Sequence, residues 1–186
     1  NDCNDYDLNI TIQGAPPANM VPYCFGDGSG AACPCNNNSS PGHNGGCAHA
    51  GGEGAVLVGI GDPSVSSDTL HMDLTGASMN SYALLLSADN QRPIVGGCAG
   101  CGSPAFDGLS CAGGNMLRHG SRFTNASGNT VDGWGDTAGP AGGLISAGGF
   151  TSGQTRHFFA MFRTGMAATC MSGQNSSNGI SVTMLP

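Results

Sequence analysis

Nine cysteines in a chain with few apolar side chains constrain this sequence more than any other feature. They are Cys3, Cys24, Cys33, Cys35, Cys47, Cys98, Cys101, Cys111 and Cys170. Of 186 residues only 31 are Leu, Ile, Val or Phe, while Gly alone numbers 33. Such a low apolar share suits disorder only when charge is also high, and here charged residues are 9% with a net charge of −7. The chain therefore reads as a folded domain with a thin core, held by cross-links. Disulfides persist outside the reducing cytosol, so the expected location is extracellular. The chain begins at Asn1, as a mature end left by signal-peptide removal would. An odd cysteine count leaves at least one thiol unpaired within the subunit.

Cys24, Cys33, Cys35 and Cys47 crowd one loop, which is expected to be closed by two bridges of open connectivity. Cys98 and Cys101 are expected to pair locally, leaving Cys3 as the odd thiol. The rival for the loop is tetrahedral zinc on Cys33, Cys35, His43, Cys47 and His49. The spacing fits no strong finger pattern, and the disulfide reading is preferred, with no metal and no cofactor.

Charge excludes partners. There is no Lys, and the only Arg are Arg92, Arg118, Arg122, Arg156 and Arg163. A phosphate backbone or an anionic membrane surface needs a basic face that these do not supply. Apolar runs such as Ala55–Ile60 and Tyr82–Leu86 are too short to span a bilayer.

The period is that of strands. Tyr6, Leu8, Ile10 and Ile12 alternate with Asp7, Asn9, Thr11 and Gln13, the pattern of a half-buried strand. Gly14-Ala15-Pro16-Pro17 then breaks it with a stiff, extended linker. Residues 1–17 are thus an N-terminal arm, and 18–186 a single β-sandwich domain with a Cys-rich loop over 24–54. Within the body, strands are expected at Gly54–Ile60, Val65–Leu74, Tyr82–Ala88, Arg92–Gly96, around Met116–His119, at Gly143–Ala147, at Gln154–Arg163 and around Ile180, Val182 and Met184. No window has helical spacing. Short strands punctuated by Gly, Asn and Ser turns predict an all-β, immunoglobulin-like sandwich.

Tyr23-Cys24-Phe25-Gly26-Asp27-Gly28-Ser29-Gly30 and Cys33-Pro34-Cys35 resemble a family of secreted β-domains frequent in planctomycete-type bacteria. The resemblance continues at Ser67-Asp68-Thr69-Leu70, Phe106-Asp107-Gly108-Leu109-Ser110-Cys111-Ala112-Gly113-Gly114, Arg118-His119-Gly120-Ser121-Arg122, Gly153-Gln154-Thr155-Arg156 and Cys170. Ser110 stands where that family has a basic residue, and Cys98-Ala99-Gly100-Cys101 is extra. The resemblance implies a secreted, disulfide-stapled sandwich without an assigned activity. Cys111 and Cys170 are both positions of that family, which implies a bridge between them. The arm resembles, in design, the donor strands of pilus subunits, which complete a neighbour's incomplete immunoglobulin-like sandwich by β-augmentation. The other reading is that residues 6–13 are the first strand of their own domain.

No catalytic set is legible. The nearest approach to a nucleophile elbow, Gly108-Leu109-Ser110-Cys111-Ala112, lacks its last Gly. His43, His49, His71, His119 and His157 have no evident partners. Glu53 is the only Glu, and the Asp residues sit in turn contexts. Asp27 and the pair Asp132 and Asp136 stand on loops that could offer oxygen to calcium, without EF-hand spacing. Trp134 between glycines is read as packing rather than as a sugar platform. Asn9, Asn37, Asn38, Asn125 and Asn175 fit the sugar-acceptor pattern and are expected to mark surface loops. The function expected is that of a structural subunit of an extracellular pilus-like fibre, built from identical copies through the N-terminal strand. The alternative is a monomeric carbohydrate- or surface-binding module, with Trp134 and nearby loops as its face, and a secreted hydrolase is third.

Overall fold

A computed structural model describes residues 19–93, 96–135, 143–165 and 171–186. Among these residues the elements are β1 (Met20–Tyr23), β2 (Val56–Ile60), β3 (His71–Thr75), β4 (Tyr82–Ala88), β5 (Asn90–Gln91), β6 (Ser103–Ala105), β7 (Gly108–Ser110), β8 (Ala112–Gly113), β9 (Leu117–Phe123), α1 (Leu144–Gly148), β10 (Thr155–Arg163) and β11 (Gln174–Thr183). An antiparallel sheet of five strands, in the order β1-β11-β10-β4-β9, forms the centre. The pairs β2-β3, β5-β8 and β6-β7 lie outside it.

The central strands β4 and β10 are apolar on both sides because one side of the sheet is covered throughout and the other over much of its width. On one face Ala83, Leu85, Phe158, Ala160, Phe162, Ile180 and Val182 meet the β2-β3 layer, with Leu57, Met72, Leu74 and Trp134 in the same cluster. On the other face Leu86, Ala88 and Phe159 meet Tyr23, Leu109 and the cysteines Cys24, Cys33, Cys47 and Cys111. The result is an all-β sandwich whose second cover is built largely from cystine.

β11 runs through both layers and is polar where it is most buried. Asn175, Ser176, Ser177 and Asn178 are all buried. Each supplies main-chain partners that no neighbouring strand provides. Asn178 accepts from Leu57 N and donates to Leu57 O. Ser177 Oγ accepts from Ala160 N where the β10-β11 register shifts. Asn175 Nδ2 donates to Cys47 O and Ala48 O, and Ser176 Oγ bonds both N and O of Leu109. Leaving such buried groups unmet would cost about 1–3 kcal/mol each. The cystine layer comes close enough to this strand that a Cβ at Gly46 would collide with Ser176 O.

The disulfides partly follow expectation. Cys98–Cys101 is the expected local bridge. Cys111 pairs with Cys24 across the second core, with Cα atoms 5.7 Å apart, and so not with Cys170. The loop from Cys24 to Cys47 contains one internal bridge, Cys33–Cys47, rather than two. Cys35 is disulfide-bonded as well. Cys3 and Cys170 lie outside the described residues. The zinc alternative loses Cys33 and Cys47 to each other, while His43 and His49 place Nε2 against the carbonyls of Gly54 and Gly76.

Two expected strands are absent. Gly143–Ala147 falls where α1 forms, and its Ile145 and Ser146 amides donate to Asp68, a partner 77 and 78 residues away that local pattern does not reveal. In place of a strand from Arg92, pairing stops at Gln91 and a cis Arg92–Pro93 bond follows. Residues 94–95 of that expected strand lie outside the described residues.

Candidate functional site

The two edges of the central sheet differ. β1 is one edge, and among the described residues its backbone pairs only with β11. β9 is the other, and none of its seven residues is buried. Thr124 N donates to Ser81 O, and Arg122 stands opposite Ala83. By the alternation of an antiparallel ladder, the N–H and C=O of Ser121 and Phe123 then point away from β4. Among the described residues neither is paired with another strand, and Ser121 O accepts only from the adjacent Arg122 Nη1, at 3.3 Å. The flanking contacts go elsewhere: Trp134 Nε1 donates to Gly120 O at 2.8 Å, and Arg122 Nε donates to Gly133 O.

The side chains beside this edge are apolar and bare. The cystine layer covers the β1-β11-β10 half of its face and ends at Phe106, a turn residue at φ 57° between β6 and β7. Past Phe106 the sheet lies open as a groove of about 530 Å³. Leu84, Leu86 and Met161 are on its floor, Phe106 and Met116 on its wall, and Arg118 and Arg163 on its rim. Tyr82 is 64% exposed, Phe106 53% and Phe123 50%, and the Tyr82 and Phe123 rings meet edge to face at 5.1 Å. Exposed aromatics beside an unpaired edge are the pattern of an interaction surface. The sequence signals missed here were Phe106 and Met116, each embedded in Gly-rich turns.

The donor-strand residues Tyr6, Leu8, Ile10 and Ile12, together with Asn9, lie outside the described residues. The sugar-acceptor asparagines divide. Asn38 and Asn125 are exposed. Asn37 and Asn175 are buried, correcting the expectation that they mark surface loops: Asn37 Nδ2 donates to Ala48 O and Asp107 O, and Asn175 is 1% exposed on β11. Trp134 is fully buried and bridges to Met72, so its ring packs in the core and offers no sugar platform. Asp27 accepts from Ser29 Oγ, Ser29 N and Gly42 N, which lowers its carboxyl below the ordinary range and ties a loop. Asp136 lies outside the described residues.

Two serine–histidine contacts occur that sequence reading did not reveal. Ser87 Oγ lies 2.7 Å from His119 Nε2, and Ser181 Oγ lies 2.8 Å from His157 Nδ1. A nucleophile needs access and an oriented base. Ser87 is fully buried, and His119 is packed against Phe150 and Phe158. Burial, with the nearby Arg156 guanidinium, pushes the His119 pKa down to about 4. Ser181 shares its hydroxyl with Gln91 Nε2, and burial, followed by Arg156, lowers the His157 pKa. Among the described residues no carboxylate bonds the second nitrogen of either ring. Ser110, from the incomplete elbow, lies in β7 and donates to Ala112 O.

Comparison with protein families, curated proteins and solved structures finds no match. No helix among the described residues is long and apolar enough to cross a membrane.

Proposed function

We propose that this chain is a secreted structural subunit of an extracellular pilus-like fibre, polymerising by donation of its N-terminal strand to a neighbour. One observation carries the reading: the arm joins the body at β1, while the unpaired, apolar-flanked edge is β9, four strands away in the same sheet. A strand that leaves one edge and is received at the other makes a heterologous contact, which propagates unless a rotation closes it. The arm's faultless alternation requires one face to be buried, since a slip of one residue would bury Asp7, Asn9, Thr11 and Gln13 instead. An immunoglobulin-like sandwich lacking one strand would be completed by such an arm. The Cys/Gly blocks shared with secreted planctomycete-type β-domains agree with an extracellular setting, as do the disulfides.

Electron microscopy of the purified full chain tests this. Wild-type protein is expected to form fibres. Ile10→Asp, which puts a charge into an apolar contact, is expected to leave monomers with unchanged disulfides. Fibres that persist in Ile10→Asp, or a wild-type chain that stays monomeric at high concentration, would overturn the reading. The exposed Tyr82 and Phe106 around an open groove favour a second reading, a monomeric carbohydrate- or surface-binding module. That reading would be supported by a monomer that binds a glycan through this groove.

A further inference from the structure

Resting on the strand-donation reading, we propose that the acceptor is the outer edge of β9, with residues 6–13 of a second copy paired along Leu117–Phe123 and Tyr6, Leu8, Ile10 and Ile12 turned to the groove side. Large apolar side chains are also exposed at another flank, with Val21 on β1 and Val58 and Ile60 on β2. The main chain there is less available. Leu57, in the middle of β2, already has both N and O engaged by Asn178. β1 carries Pro22, which has no N–H to give, a common guard on an edge strand. β9 has no such guard at Ser121 or Phe123.

Length and charge point the same way. The alternating segment 6–13 is eight residues long and β9 is seven. The arm holds Asp2, Asp5 and Asp7 and no basic residue. Of the five Arg in the chain, Arg118, Arg122 and Arg163 lie on β9 or on the rim of its groove. With Tyr6 and Leu8 turned to the groove, Asp7 falls on the opposite face, which on β9 is the face of Arg122, and an opposite charge there favours the pairing.

Reach decides that the strand comes from another copy. Four strand spacings put the β9 edge about 19 Å from β1. A path across either covering layer, each about 10 Å thick, lengthens this to about 40 Å. Residues 14–19 span only about 20 Å when fully extended. For a path over a covering layer the arm's own β9 is out of range, and a neighbour's is not.

The test uses the full chain with a benzophenone photo-cross-linker at position 8, assembled from an equal mixture of unlabelled and 15N-labelled protein and digested after irradiation. Cross-links joining the two isotopes, from position 8 to peptides containing Tyr82, Met116 or Phe123, are the expected result. Mixed-isotope links to Val21, Val58 or Ile60 would overturn the acceptor while leaving strand donation intact. Links within one isotope only would overturn strand donation itself. A second variant, Ser121→Pro, removes an outward N–H and leaves the β4 ladder alone. It is expected to slow fibre growth at least tenfold while Ser121→Ala does not, with unchanged disulfide peptides as the check on folding. Equal growth of the two variants would also overturn the acceptor.

Discussion

Removing the Cys24–Cys111 bridge should destabilise this domain more than removing either of the other two bridges described. The perturbation is the double replacement Cys24→Ala with Cys111→Ala in the full chain. The bonded residues are 87 apart in sequence, against 14 for Cys33–Cys47 and 3 for Cys98–Cys101. In the chain-entropy model, loops of these lengths are worth about 4.5, 3 and 2 kcal/mol at 25 °C. Burial sharpens the difference. Cys24 and Cys111 sit in the second core among Tyr23, Leu109 and Phe159, so two deleted sulfurs leave a void there. Cys98, by contrast, is exposed. Urea unfolding without reductant is the assay, followed by the fluorescence of the single tryptophan, Trp134, which is buried and reports the core directly. With a slope of about 2–3 kcal/mol per molar urea, the midpoint should fall by about 1.5–2 M. A Cys24/Cys111 variant whose midpoint moves less than that of a Cys98/Cys101 variant would refute both the loop-length argument and the placement of this bridge at the centre of the second core.

Acid should weaken the fold through His119. Its pKa is about 4 in the folded chain and near 6.5 when unfolded, so only the unfolded chain takes the proton between those values. Stability should hold above pH 6.5 and decline as pH falls towards 4, by about 2–3 kcal/mol after allowance for partial exposure, and His119→Gln should flatten that decline in urea titrations across this range. Trp134→Ala should cost about 3–5 kcal/mol, because it empties the space between the β2-β3 layer and the sheet; a loss under 1 kcal/mol in thermal unfolding would contradict that packing. In the monomeric Ile10→Asp chain, the Ser121 and Phe123 amides should exchange with deuterium faster than that of Arg122. In fibres the first two should become protected, and their continued rapid exchange would exclude the β9 edge as acceptor.

The strands that could be read from sequence were those whose faces differ or whose apolar residues run together. Tyr82–Ala88 was placed to the residue, and Gln154–Arg163 to within one, because Leu84-Leu85-Leu86 and Phe158-Phe159 have nowhere to go but inside. β11 was half missed for the opposite reason. Its first residues, Gln174-Asn175-Ser176-Ser177-Asn178-Gly179, have the composition of a loop, and only the structure supplies the main-chain groups of Leu57, Ala48 and Leu109 that their side chains satisfy. The helix at Leu144 was missed because its first turn is held by Asp68. The pairing of Cys24 with Cys111 was likewise illegible, since spacing does not say which cysteines a three-layer packing brings together. Of the candidate site, Tyr82 and Leu84 lay in an expected strand. That their face stays bare depends on where the cystine layer stops, which no local pattern encodes.

The position of the bridges explains why the bare half-sheet exists. Cys24–Cys111 and Cys33–Cys47 hold the Cys-rich loop over β1, β11 and the near half of β10, where Asn175 and Ser176 also fasten it. In a chain this poor in Leu, Ile, Val and Phe, that cover lets cystine and small residues stand in for a larger core. None of it reaches β9, whose attachments among the described residues include the ladder to β4, the His119 contacts with Ser87, Phe150 and Phe158, the Trp134 bond to Gly120 and the Arg122 bond to Gly133. Four more apolar side chains, each removing on the order of 100 Å² from water, would contribute several kcal/mol at about 25 cal/mol per Å² before ordering costs. The sequence holds such a set in the alternating residues Tyr6, Leu8, Ile10 and Ile12, which precede the far edge strand β1. On the proposed strand donation, a domain stapled on one half and open on the other finishes its sandwich by association, and each copy that does so brings another arm.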